Sequence, residues 1–318
     1  MRLLRVELTR FATRRGVLAV LLVAAVVAAV LAISAAYATR PADDTERAAA
    51  EQLLTQEQLL AEDEHQLCLE NQEDADSPGA AACAQSDPQL AWFLPRDPLD
   101  LAVELDGRGQ TLLFTLVGAA VLLGATFTGP DWSSGSIRNQ LLQAPRRTTM
   151  WLVKALAVAL GTTAAAALVL AGFWGSLAAV AAARDLAPPA ATWEQVLQGS
   201  GRGLALVAAV ALGSHALTML LRHTVGTLGL LFGYAVVAEG LAASLPFERM
   251  SQWSLVRNVQ AFLRDGVELK DRSICALGER GCVPRYDLTA GHAAAYLGAL
   301  LFLAVVVSVV AFARRDVP

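Results

Sequence analysis

The sequence predicts an all-α integral membrane protein with six transmembrane helices, and three observations carry that prediction. Of the 318 residues, 55% are hydrophobic and only 17% charged, too apolar a mixture for one soluble core. Six segments reach the roughly 20 mostly apolar residues that a bilayer crossing needs: 16–37, 111–128, 151–183, 203–221, 224–245 and 289–313. Charge is also segregated along the chain, which matters more than the net value of −4. Arg2, Arg5, Arg10, Arg14 and Arg15 crowd the N-terminus, while Arg138, Arg146, Arg147 and Lys154 mark the second loop. Arg222 marks the fourth loop and Arg314 and Arg315 the C-terminus, whereas the first loop is crowded with Asp and Glu. By the positive-inside rule, both termini and the second and fourth loops are cytoplasmic.

Residues 1–15 place Leu3, Leu4, Leu8 and Phe11 on one helical face with arginines over much of the rest. That pattern predicts a helix along the inner membrane surface; a short basic tail of the first span is the alternative. The span 16–37 mimics a secretory signal ending in Ala36-Tyr37-Ala38, but its uncharged run to Thr39 exceeds a signal's usual core of about 7–15 residues. A retained anchor is therefore expected. In the extracytoplasmic loop, 38–110, Leu53, Leu60 and Leu67 stand seven apart within a stretch rich in Ala, Glu and Gln. This predicts an amphipathic helix turning at Ser77-Pro78-Gly79; an acidic solvated spacer is the other reading. Trp92, Phe93 and Leu94 then bring the chain back to the interface, where Trp is favoured.

The most polar and basic interruption between spans is TGPDWSSGSIRNQLLQAPRRTTMWLVK, from Thr128 to Lys154. Gly129-Pro130 is expected to stop the preceding apolar run, with Asp131, Ser133 and Ser134 as candidate N-caps for the next helix. Ile137, Leu141 and Leu142 recur at i, i+4 and i+5, which predicts a short amphipathic helix. Pro145 ends it, and Arg146 and Arg147 sit where cations suit the helix dipole. The segment 129–150 reads as a cytoplasmic docking helix between two spans.

The third span, 151–183, is longer than one crossing and must tilt or extend beyond the lipid. A connection over 184–201, with Pro188-Pro189 and Trp193, leads to the fourth span, and only Arg222-His223 separates that from the fifth. The extracytoplasmic loop 246–288 carries Phe247, Met250, Trp253, Leu255, Val256, Val259, Phe262 and Leu263 at mixed helical spacing. One or two outer helices are expected there, with Arg257 and Arg264 on the wet side. Cys68 and Cys83 fall in the first loop and Cys275 and Cys282 in the fifth, all on the proposed outside, where disulfides persist. Cys68–Cys83 and Cys275–Cys282 are the simplest pairing, cross-loop bridges stay open, and a zinc site is disfavoured because the spacings do not resemble C-x2-C pairs.

No Walker A motif is present: Gly124–Gly129, GATFTG, is followed by Pro130 where a lysine should reach the phosphates. G-x-S-x-G, H-E-x-x-H and dinucleotide fingerprints are also missing from the sequence. The run from Asp131 through Gly135, Ile137 and Arg138 to Leu141, Leu142, Pro145, Arg146 and Arg147, with Lys154 opening the third span, resembles the loop between spans two and three of type-2 ABC exporter permeases. Two departures are Asp131 where Glu is usual and Pro-Arg-Arg where Pro-Ser-Arg is commoner. The surface helix and six spans extend the likeness over nearly the whole chain; the large cystine-bearing first loop is unlike the minimal members.

The resemblance implies two permease chains, identical or related, sharing one translocation path in a bacterial plasma membrane. Two cytoplasmic ATPase subunits would bind ATP and magnesium, so this chain would need no cofactor, would not be an enzyme and would have no nucleic-acid partner. In that picture Asp131–Arg147 is the coupling helix: Asp131 caps it, Ile137, Leu141 and Leu142 pack, and Arg138, Arg146 and Arg147 make charged contacts. Glu239, in the outer part of the fifth span, is a candidate for the translocation path, or for steadying a re-entrant helix. His215 and His292 read as hydrogen-bonded core, and Gly226, Gly229 and Gly233 as sites of close helix packing. A membrane-anchored sensor or assembly protein with a disulfide-bonded outer ligand-binding region is the alternative. Cargo and transport direction stay open.

Overall fold

A backbone inside lipid must satisfy its own hydrogen bonds, and this chain does so with helices. The computed structural model describes residues 2–70, 87–143, 146–238, 240, 250–270 and 285–314. In chain order the helices are α1 (Arg2–Thr13), α2 (Arg15–Ala38), α3 (Asp44–Glu70), α4 (Leu101–Ser133), α5 (Ser136–Gln143), α6 (Arg147–Ala183), α7 (Ala190–Leu221) and α8 (Thr224–Gly233). After them come α9 (Leu255–Arg264), an antiparallel ribbon of β1 (Val267–Lys270) and β2 (Arg285–Leu288), and α10 (Ala290–Arg314). Helices α2, α4, α6, α7 and α10 are each long and apolar enough to cross a membrane. The chain is a multi-pass membrane protein.

Helix α2 packs inside out relative to a helix of a soluble bundle. On α2 the buried residues are Val17, Ala24, Ala28, Ala32 and Ala35, while Leu18, Leu22, Val26, Val30 and Ile33 are exposed. Small residues let backbones approach, and bulky aliphatics lose nothing by facing lipid tails. Among the described residues, helices α4 and α7 share the most extensive contact. An added Cβ on Gly124 would stand 2.6 Å from the Ala211 carbonyl oxygen, so only glycine permits that approach. Ser214 donates to the Val121 carbonyl at 2.7 Å across the same seam. Gly229 and Gly233, expected to mediate close packing, have open space around them instead.

Two faces result. One carries α1, α5, the α7–α8 corner at Arg222 and the end of α10, where Phe312 packs edge-on against Trp132 at 6.1 Å. The opposite face carries α3, the start of α4, the turn after α6, α9 and the ribbon. There Arg184 donates to the Thr39 and Ala36 carbonyls at 2.7 and 2.6 Å, closing the last turn of α2. Arg264 reaches Gln110 at 2.8 Å.

Several boundaries differ from expectation. Helix α4 begins ten residues before the predicted 111 and runs through Gly129-Pro130 to Ser133. The connection expected over 184–201 is only a short turn, because Pro189 serves as N-cap of α7 rather than as part of a loop. Among the described residues of the loop 246–288 are a 3-10 turn at Met250–Trp253, α9 and the ribbon. Its strands read V-E-L-K and R-Y-D-L, an alternation of period two, and Leu269 and Leu288 are buried with Ala261 and Ala293. Segment 224–245 is described only to 238 and at 240, as α8 and a π-helical turn Tyr234–Ala238. Glu239, Pro145, Cys83, Cys275 and Cys282 lie outside the described residues, and Cys68 lies near the end of α3.

Candidate functional site

The docking stretch is folded around Asp131, but not as a helix cap. Asp131 lies inside the last turn of α4, 2% exposed. Its Oδ1 accepts from Arg10 at 3.0 Å and Arg14 at 2.8 Å, and its Oδ2 from Lys154 at 2.5 Å. Glu7 completes the cluster, bonded to Arg10 at 2.9 Å and Lys154 at 3.3 Å. Three cations and two anions thus tie α1 to the end of α4 and the start of α6. Burial opposes the charge on Arg10, yet Asp131 and Glu7 more than offset it and hold its guanidinium above the ordinary value.

Pro130 explains why Arg14 belongs here. A proline inside a helix has no N–H for the carbonyl four residues back, which is that of Thr126. The Arg14 guanidinium donates to Thr126 at 3.4 Å and to the Phe127 carbonyl, and lies 4.7 Å over the Phe127 ring. The helix therefore continues through Pro130 because a cation from α1's end replaces the missing donor. Phe11 locks the joint: it is 5.5 Å from Phe127 and fills the space where Gly161 of α6 lacks a side chain.

Beyond Ser133 the chain turns at Gly135, whose φ of +68° lies in the left-handed region that glycine tolerates. Helix α5 comes next. Ile137 is buried with Trp151, Ala216, Met219 and Phe312, and Leu141 packs on the same cluster. Leu142 is 79% exposed, and Arg138 and Arg146 are exposed while Arg147 is half-buried. Of the residues expected to contact a partner, Ile137 and Leu141 therefore face the protein's own core, and Asp131 is interior. Arg138, Leu142 and Arg146 are free to face outward.

Sequence reasoning assigns Arg10 and Arg14 only to membrane orientation and leaves Glu7 without a role. The signal was present: Glu7, Arg10 and Arg14 fall at i, i+3 and i+7, one face of a helix. His215 is fully buried as expected, with Nδ1 2.7 Å from the Thr128 hydroxyl and its ring 5.1 Å from Trp151. His292 instead lies exposed beside Trp253 at 6.4 Å. Among the described residues, no group of three or more His, Cys, Asp or Glu is placed to hold a metal. What the cluster does is tie α1, α4, α5 and α6 together, with Ser136 of α5 also donating to Asp131. The chain matches no protein-family model, and comparison with curated proteins and solved structures likewise gives no match.

Proposed function

We propose that the chain is the membrane-spanning permease subunit of an ATP-binding-cassette exporter in a bacterial plasma membrane. A separate cytoplasmic ATPase binds and hydrolyses ATP, and a second permease chain, identical or related, completes the path. The observation that carries this reading is the placement of α5. It stands at the corner between two long apolar helices, with Ile137 and Leu141 anchored inward and Arg138 and Leu142 presented outward. A push on α5 is passed to α4 and α6 together, and through Asp131 to α1. Within the cluster Asp131 and Lys154 are buried, so separating that pair strands a charge and the coupling resists being pulled apart.

A sixth crossing within 224–249 belongs to the same reading. Arg222 lies on the α5 face, stacked 4.8 Å over Trp132, while α9 lies on the α3 face through Arg264–Gln110. That placement supports a crossing between them, with α10 returning the chain to the α5 face. With arginines on that face, both termini are cytoplasmic. Disulfides Cys68–Cys83 and Cys275–Cys282, or cross-loop bridges among the four, belong to the same reading; in sequence the second pair falls between the paired residues Lys270 and Arg285.

The test is co-purification with the ATPase encoded beside this reading frame. Arg138→Ala combined with Leu142→Ala leaves the Asp131 cluster intact, so correct insertion is expected. Wild type should retain the ATPase and the double variant should lose it. If wild type binds no ATPase in several detergents, the exporter reading fails and a membrane-anchored sensor or assembly protein takes its place.

A further inference from the structure

On the face opposite Asp131, a cavity of about 420 Å³ opens between the start of α4, the first turns of α7 and the end of α9. Leu105, Leu113 and Leu263 supply apolar wall, and Gln110, only 8% exposed, is the most buried polar side chain in it. Gln110 Oε1 accepts two N–H groups of Arg264, one from Nε at 2.8 Å and one from Nη2. A guanidinium has only donors, so those bonds fix the amide's orientation and leave Gln110 Nε2 for another acceptor. Nε2 finds none among the described residues, yet it is not sealed inside the protein, so its N–H groups open on the cavity. Two charges in the wall are likewise unspent. Arg264 is bonded to a neutral amide rather than to a carboxylate, and Asp106 forms no ion pair among the described residues. Arg202 and Asp265, also in the wall, neutralise each other at 2.9 Å. Leu105 and Asp106 belong to a π-helical turn, Leu105–Gly109, an uncommon break in helix geometry that recurs at functional sites.

We propose that this cavity binds a small zwitterion, an amino acid or short peptide with apolar side chains. Its carboxylate accepts from Arg264 and Gln110 Nε2, its ammonium donates to Asp106, and its side chains lie on Leu105, Leu113 and Leu263. A simple anion would set like charge against Asp106, and a simple cation would do so against Arg264. A ligand that carries both charges satisfies the two at once. The same pair of charges is carried by a zwitterionic lipid headgroup. The site involves no part of α5 and stands whether or not an ATPase binds there.

Calorimetric titration of the full chain in phosphatidylglycerol nanodiscs, with empty discs subtracted, compares leucyl-leucine with its N-acetyl and C-terminal amide derivatives. Saturable binding of the dipeptide is expected, with each derivative about tenfold weaker, the cost of one charge-assisted contact. Asp106→Asn, at an exposed side chain, should abolish the preference over the acetylated peptide and keep that over the amide. Arg264→Gln should do the reverse and abolish only the preference over the amide. That split separates lost recognition from damaged folding, which would weaken all three ligands together and leave their ranking intact. Discs containing phosphatidylethanolamine form a second arm. Weaker dipeptide binding there assigns the site to a lipid headgroup, and unchanged binding to a soluble zwitterion; both outcomes sustain the site. No saturable binding of the dipeptide, equal affinity for the three ligands, or preferences unchanged in both variants overturns it.

Discussion

Asp131 shows how far one residue's role depends on partners distant in sequence. Next to Ser133 and Ser134 it reads as a helix cap, and proline before it reads as a stop. Neither reading survives, because Arg14, 112 residues before Thr126, supplies the donor that Pro130 lacks. Spacing within the stretch contains no trace of that contact. Asp131→Asn leaves Arg10, Arg14 and Lys154 facing one another without their shared anion. A loss of about 3–5 kcal/mol is expected, the range for breaking a buried pair. Thermal unfolding in detergent measures it, and Arg138→Ala on exposed α5 serves as the control with a change within about 0.5 kcal/mol. Equal stability of the two variants would mean that the cluster holds nothing together.

At the scale of elements, the long apolar helices are legible because hydrophobic length alone defines them, and their ends are not. The start of α4 at Leu101 depends on Asp100 capping Ala102, and the start of α7 on Pro189, both local signals hidden among polar residues. The β ribbon is legible in principle from its alternation but is too short to outweigh the helical spacing before it. Helix contact is argued by Gly124. Gly124→Ala places a methyl group against the Ala211 backbone, which cannot rotate away, so α4 and α7 must separate; a cost of about 1–3 kcal/mol is expected. Gly118, with open space beside it, should accept alanine with no loss and a gain of up to about 1 kcal/mol from helix propensity. The attachment of α3 depends on pH instead. The Arg96 hydrogen bond holds Glu46 below its ordinary value, and the Thr45 hydroxyl does the same for Asp43. Carboxylates with lowered folded values contribute stability above their ordinary range, near pH 4, and lose it as pH falls through the lowered values. A spin label at Ala49 should therefore gain mobility upon acidification below pH of about 4, and Arg96→Ala should move that transition upward. A mobility independent of both would show that α3 is held by something else.

For the whole molecule, the pattern of arginines reads as orientation, and two of them are spent on structure. Arg10 and Arg14 neutralise Asp131, so the outward-facing charge of this face rests on others, among them Arg138 and Arg146. The orientation argument survives that subtraction, because the opposite face still bears the acidic α3. It makes a sharp prediction. In a background lacking native cysteines, single cysteines at Thr55, Gln198 and Arg257 should react with an impermeant maleimide on intact cells. Cysteines at Asn139 and Thr148 should react only after lysis. Arg257 is the informative position, since it shares a side with Thr55 only if the chain crosses between Arg222 and α9. Labelling of Asn139 from outside would invert the protein and remove α5 from any cytoplasmic ATPase. Protection of Arg257 alongside labelled Thr55 would leave the orientation intact and remove the sixth crossing. The two failures are separable because α5 and α9 lie on opposite faces, held there by contacts with opposite ends of α4.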